Sequence, residues 1–330
     1  MSTLPDILPE VATASGFLLV LILLLPFASV LLALVLGGRN PRRVAFLALP
    51  AGLALAGAIA LAASRAGQPL IYLLGNWAPP LGVALRADGL SVTMLLTTAV
   101  IIFGVAIYAR SDFAPPPGGG ETRTSLMFWI LLLAVWGSLN LIFLAGDLFT
   151  LYVALELLTF AGVPLVCLDG RPATLQAALR YLLFALIGSI LYLLGAVLLY
   201  GAYGTLDIAL LAQRIRPEAP AFAAAALMTA GLLAKTALFP LHLWLPPAHA
   251  GAPAAASAVL SALVVKGSWF LVVRFFGSTS CQASSRFPPP RCSVCWAPVQ
   301  SFLGASSPCA RNASSCWSPI RRWRRSAICF

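Results

Sequence analysis

The hydrophobic positions of this chain fall in blocks of about 20 residues or more, too long for the alternation of a strand or the one-sided stripe of a soluble helix. Apolar runs lie near 16–37, 44–63, 88–109, 125–145, 147–167, 176–203, 221–247 and 254–276. A bilayer core about 30 Å thick takes about 20 helical residues, and backbone in lipid must satisfy its own hydrogen bonds. Each run is therefore predicted to be a spanning helix. Polar punctuation separates most of them: "GGRNPRR", the longer "SRAGQPLIYLLGNWAPPLGVALRAD", "RSDFAPPPGGGETRT", "LDGRPAT" and "QRIRPEAP". The fourth and fifth runs meet at Gly146 and Asp147 with little between them. No β-barrel alternation is present, and the pattern predicts an all-α, polytopic membrane helix bundle of about eight transmembrane helices.

Composition agrees. The 330 residues are 60% hydrophobic and only 9% charged, with a mean hydropathy of +0.94. Soluble domains carry about 25% charged residues, so a soluble enzyme is excluded. The N-terminus, "MSTLPDILPE", has Asp6 and Glu10 but no Lys or Arg, and so lacks the basic region of a cleaved signal peptide. The first helix is expected to be retained. Placing this acidic end outside puts Arg39, Arg42, Arg43, Arg110, Arg123 and Arg171 on the cytoplasmic side, against Arg65, Arg86, Arg214 and Arg216 on the other. This is a modest positive-inside bias.

The text changes from residue 278 onward. Residues 278–330 hold six of the seven cysteines and seven arginines but no acidic residue, so seven of the eleven excess positive charges sit there. A zinc knuckle and a basic patch for anionic lipid or nucleic acid are the two functional readings. Cys292 and Cys295 have C-x2-C spacing, but six residues separate Cys309 from Cys316, which does not match zinc pairings. A Ser, Pro, Arg, Cys and Trp mixture without helical periodicity fits a GC-rich gene read in a shifted frame, or a disordered extension. No metal and no nucleic-acid partner is expected.

Charges inside the apolar runs carry the candidate chemistry. An ionisable group at the bilayer centre costs about 2.5–3.5 kcal/mol on insertion scales, so such groups face protein or water and serve transport. Glu156 lies within "DLFTLYVALELLTFAGVPL", Lys235 within "AFAAAALMTAGLLAKTALFP", and Lys266 within "AAASAVLSALVVKGSWFLVVRFF". None is within a turn or two of a run's end, as a snorkelling side chain requires. A static buried pair of Glu156 and Lys235 would fix packing; three charges on three helices would form a proton relay. Pro240 removes a backbone donor and clashes with the carbonyl four residues back. It is expected to break the helix there, either as a packing kink or as a hydrated gap with unpaired backbone groups beside Lys235. His242 and His249 are seven residues apart and would share a face of an unbroken helix. They read as accessory proton carriers or as structural histidines. Arg180, four residues into its run, reads as a cytoplasmic-side snorkeller or as a group tuning Glu156. No G-x-G-x-x-G, P-loop or Cys cluster lies outside the tail, so no cofactor is expected in this chain.

"GNWAPPLGVALRADGLS", "DLFTLYVALELLTFAGVPL", "AALRYLLFALIGS" and above all "LLAKTALFPLHLWLPPAHAGAPAAASAVLSALVVK" resemble the antiporter-like subunits shared by respiratory complex I, Mrp-type cation/proton antiporters and membrane-bound hydrogenases. The resemblance covers about residues 15–276. It implies a core of two inverted five-helix repeats, each with a broken helix, and a proton path of Glu and Lys residues. Glu156 resembles the family's fifth-helix glutamate, Lys235 the lysine preceding the broken-helix proline Pro240, and Lys266 the eighth-helix relay lysine. The implied organisation is an N-terminal segment (1–15), three helices (16–110), one five-helix translocation repeat (125–276) and the tail (278–330). Family members continue into a second repeat where this chain turns into the tail, so a chain truncated or frameshifted after about residue 277 is expected.

The implied function is a proton-conducting subunit of an NADH:quinone oxidoreductase-like or Mrp-type sodium/proton antiporter complex, with any redox site in partner subunits. The alternatives are a membrane-bound hydrogenase of the formate hydrogenlyase type and a nonfunctional fragment. Implied partners are other hydrophobic subunits, membrane lipid, protons and sodium; the implied location is a bacterial-type inner membrane.

Overall fold

The computed structural model describes residues 12–13, 15–37, 40–113, 122–238 and 241–283, with side chains as far as Phe275. Residues 1–275 form one compact unit; the second, 276–330, is described only over its helical residues 276–283. The order is α1 (Phe17–Leu36), α2 (Asn40–Ala66), β1 (Leu70–Leu73), β2 (Ala84–Ala87), α3 (Gly89–Asp112), α4 (Arg123–Leu144), α5 (Leu148–Val166), α6 (Pro172–Tyr203), α7 (Ile208–Arg214), α8 (Ala219–Lys235), α9 (Leu245–Gly251), α10 (Ala254–Val259) and α11 (Val265–Ala283). A π-helical turn, Leu260–Val264, joins the last two. Among the described residues, α1 to α6 and the stretch Ala254–Phe275 are long and apolar enough to cross a membrane, and α8 is a shorter apolar helix. Seven of the eight predicted runs coincide with these candidate spans, while the run 221–247 is helical only as far as Lys235 before the short α9. α11 continues to Ala283, past the point where the tail was expected to begin.

α4 is the most enclosed spanning helix. Its Phe128, Trp129, Trp136 and Phe143 are all but fully buried. Gly52 of α2 makes room for Trp136, because a Cβ at that position would lie 2.1 Å from the indole. Asn140 answers a specific backbone problem. Pro26 inside α1 has no N–H, so the carbonyl of Ile22, four residues earlier, loses its helical donor. The Asn140 amide nitrogen donates to that oxygen at 3.0 Å. An unpaired carbonyl has no water to turn to in hydrocarbon. Asn140→Leu is therefore expected to cost about 1–3 kcal/mol, read as a lower melting temperature of the detergent-solubilised protein. Adding Pro26→Ala, which restores the missing N–H, should recover most of that loss; no recovery would remove this role from Asn140.

The runs of polar punctuation fold more than the sequence pattern predicts. β1 and β2 form an antiparallel hairpin, Leu70 opposite Ala87 and Leu73 opposite Ala84. Gly146 N donates to Ala84 O at 3.0 Å, Leu148 N to Leu206 O at 3.0 Å, and Ile208 N to Gly146 O at 3.0 Å. These bonds knit the hairpin, the α4–α5 turn and the α6–α7 turn into one end of the bundle. Aspartates cap three helices there: Asp88 accepts from Ser91 N at 2.8 Å, Asp147 from Thr150 N at 2.7 Å, and Asp207 from Leu210 N at 2.8 Å. A side-chain acceptor at the N-cap satisfies an orphan donor and favours the helix N-terminus. Burial pushes the Asp207 carboxyl up from its ordinary range, against the pull of the N–H groups it caps.

Candidate functional site

α6 and α8 make the most extensive helix pairing of the bundle. They approach backbone to backbone at glycines. A Cβ on Gly231 would lie 2.3 Å from Gly188 O, and one on Gly195 would lie 2.7 Å from Ala224 O. Small residues are the usual means of close helix approach in membranes. The seam aims the end of α8 at α5, one turn past Gly231, and that end is Lys235.

Lys235 is 7% exposed. Its Nζ donates to Thr159 Oγ1 at 3.0 Å and stands 3.9 Å from Glu156 Oε1. Glu156, near the middle of α5, has its side chain 14% exposed. The pair predicted from the sequence is thus brought together. Lys235 is the last residue of α8, where the partial negative charge of a helix C-terminus favours a cation. Thr159, Tyr181, Ser268, Val264 and Lys235 line a small cavity, about the size of one water molecule. The cavity lies between Lys235 and Thr159, Val264 of the π-turn and Ser268 of α11.

The helix break begins earlier than expected. The sequence pattern predicts one run over 221–247 broken at Pro240, with Lys235 in its interior; the structure ends α8 at Lys235 itself. Ala237 takes the left-handed conformation, φ 52°. Ala237 N then donates to Ala234 O at 3.4 Å and Leu238 N to Leu233 O at 3.3 Å. This is the bond pattern of a Schellman cap, built on alanine rather than the usual glycine. The carbonyls of Leu232, Leu233 and Ala234 all have donors. The single Thr236 hydroxyl proton is shared between Leu232 O at 3.0 Å and Leu233 O at 3.1 Å, and Trp244 Nε1 donates to Ala234 O at 3.1 Å. The Trp244 ring stacks on Tyr181 of α6, with centroids 4.4 Å apart, clamping the segment after the break. Pro240 lies outside the described residues. A proline still rationalises an early stop, since the residue before it disfavours helix and Pro cannot donate to the carbonyl of residue 236.

The remaining candidates are spread out. His242 precedes α9 and His249 lies within it, so they do not share one helix face as an unbroken helix would require. His249 Nδ1 is 2.8 Å from Ser257 Oγ. Lys266 is exposed on α11, while Ser268, two residues on, faces the cavity. Arg180 is exposed on α6. Sequence reasoning missed Thr159, Tyr181, Trp244, Ser268 and the paired glycines. Thr159 carried a readable signal, since it follows Glu156 by three residues and shares its helix face. Among the described residues no group of three or more His, Cys, Asp or Glu side chains is placed to hold a metal ion. The cysteines of the tail lie outside the described residues, apart from the backbone of Cys281.

Residues 145–288, which contain all of this site, match the family described as "NADH:quinone oxidoreductase/Mrp antiporter, TM". NADH-quinone oxidoreductase subunit N of Desulforudis audaxviator (strain MP104C) is 36% identical over 222 residues, 66% of this chain and 43% of that protein. A Na(+)/H(+) antiporter subunit of Bacillus subtilis (strain 168) is 34% identical over 210 residues, 62% of this chain and 41% of that protein. The chain thus spans under half the length of these curated relatives. Among solved structures, a chain of the membrane-bound sulfane sulfur reductase, an archaeal respiratory membrane complex, superimposes with a TM-score of 0.72 at 26% identity, over 78% of this chain and 52% of that one. Residues 145–288 therefore resemble the NADH:quinone oxidoreductase/Mrp antiporter transmembrane family, and the protein is a multi-pass membrane protein with the fold of an antiporter-like subunit.

Proposed function

We propose that this chain is a proton-conducting subunit of a multisubunit complex of the NADH:quinone oxidoreductase or Mrp type, with Glu156, Lys235 and Lys266 as its proton carriers. The observation that carries the reading is the buried pair, Lys235 Nζ at 3.9 Å from Glu156 Oε1. Two charges taken out of water are costly, and a pair of them is a poor way to stabilise a fold. Held apart at this distance, the pair suits switching. When a neighbouring subunit or a bound cation weakens it, the ammonium is held less tightly and gives its proton toward α11, whose Ser268 lines the small cavity, and from there to Lys266 on the exposed face of that helix. His242, His249, Pro240 and Arg180 are accessory to this path.

The subunit sits in a bacterial-type inner membrane with its N-terminus outside. Lipid and other hydrophobic subunits cover its apolar outer faces, and any electron transfer takes place in those partners. Membrane vesicles containing the assembled complex and a pH-sensitive dye test the proposal. Dye response to a sodium gradient is expected for an Mrp-type complex, and response to NADH with quinone for an oxidoreductase. No proton movement under either condition, with the chain shown to be assembled, would overturn it.

A further inference from the structure

The Lys235 ammonium has two acceptors within reach and bonds the weaker one. Its hydrogen bond goes to the neutral Thr159 hydroxyl at 3.0 Å, while Glu156 Oε1 at 3.9 Å is beyond hydrogen-bond distance. That carboxylate oxygen is buried and takes no hydrogen bond among the described residues. A charge-assisted bond to it would be about twice as strong as one between neutral groups. Two features hold the ammonium back. The Thr159 hydroxyl gives its single proton to Leu155 O at 2.9 Å, which leaves its lone pairs for Nζ. The lysine stem is confined by the α6–α8 seam, where a Cβ on Gly188 would already lie 3.1 Å from Lys235 Cγ.

We propose that Thr159 is a positioning residue that keeps Lys235 one hydrogen bond short of Glu156, so that the pair attracts without locking. This rests on the proton-carrier reading of the pair given above. In direct contact the carboxylate would share the ammonium proton and oppose its departure. With Thr159 interposed, the N–H bond breaks at lower cost, the proton passes to the next acceptor on the path, and the bonding electrons stay on Nζ. The neutral amine left behind needs a donor. The Thr159 hydroxyl supplies one by turning from Leu155 O to Nζ, which an ionised carboxylate cannot do. One side chain thus serves both protonation states. The ionisable groups facing Nζ are Glu156 on α5 and Tyr181 on α6, and α11 presents Ser268.

The test uses the assembled complex in vesicles, with transport measured as a function of pH. Thr159→Val keeps the shape and removes the hydroxyl, so the ammonium moves onto Glu156. Its rate is expected to fall about tenfold at pH 7, with the half-maximal point displaced about one pH unit to alkaline, the two being equivalent. Thr159→Ser is expected to recover most of the rate and return the profile. Thr159→Ala, which opens space rather than filling it, gives the same displacement and serves if the valine variant does not assemble. A wild-type profile in the variants without a hydroxyl, or a serine variant displaced as far as they are, would overturn the inference. Lys235→Arg separates the two levels. If it is inactive while Thr159→Val is unaffected, only the role of Thr159 falls; if it transports normally, the reading of the pair falls too.

Discussion

Lys235→Arg is expected to yield an assembled complex that no longer moves protons, with transport reduced about a hundredfold or more, the scale of a lost acid–base group. Arginine keeps the positive charge opposite Glu156, so the buried carboxylate stays paired. Its guanidinium does not give up a proton in proteins, so the carrier step is blocked while the electrostatics survive. Lys235→Ala is a blunter test. It leaves Glu156 buried without a partner, at a cost of about 3–5 kcal/mol, so loss of transport there mixes with loss of the subunit. Vesicle transport set beside immunoblotted subunit content separates these effects. An arginine variant at normal abundance and normal rate would show that Lys235 does not carry protons.

Gly231→Ala is expected to have the second large effect, first on assembly and then on the pair. The added Cβ would meet Gly188 O at 2.3 Å and Tyr192 N at 2.9 Å, both backbone atoms of a helix that cannot yield locally. The helices must separate. Overpacking of this kind costs about 1–3 kcal/mol, and the shift falls on Lys235 one turn later. Gly201→Ala on α6 is the control, because nothing lies within 4 Å of its Cβ position. It should be neutral or stabilising by about 0.5–1 kcal/mol through better helix propensity. Thermal unfolding of the purified complex with the two variants side by side decides the matter; equal melting temperatures would show that the seam tolerates separation.

The larger features of the fold were legible because lipid imposes simple rules. Twenty apolar residues make a span, and a charge within one is costly enough to mark a site. Glu156 and Lys235 could therefore be singled out from position alone, and the structure brings them together. The hairpin of β1 and β2 was not legible, because two four-residue strands leave too short an alternation to read. The break after Lys235 was displaced because proline is the visible signal in text. A left-handed alanine is not, and at Ala237 that conformation accompanies bonds from surrounding groups to the carbonyls of Leu232, Leu233 and Ala234.

Hydropathy and spacing along one chain were enough to specify the membrane class, the positions of seven spanning helices and the residues whose burial demands an explanation. That Lys235 ends its helix, that Trp244 and Thr236 satisfy the carbonyls there, and that the ammonium rests on Thr159 rather than on Glu156 emerged only in three dimensions. Those outcomes depend on how closely α6 and α8 approach and on which lone pairs face which donor. Such distances are set by packing between helices far apart in the chain, and no local pattern encodes them.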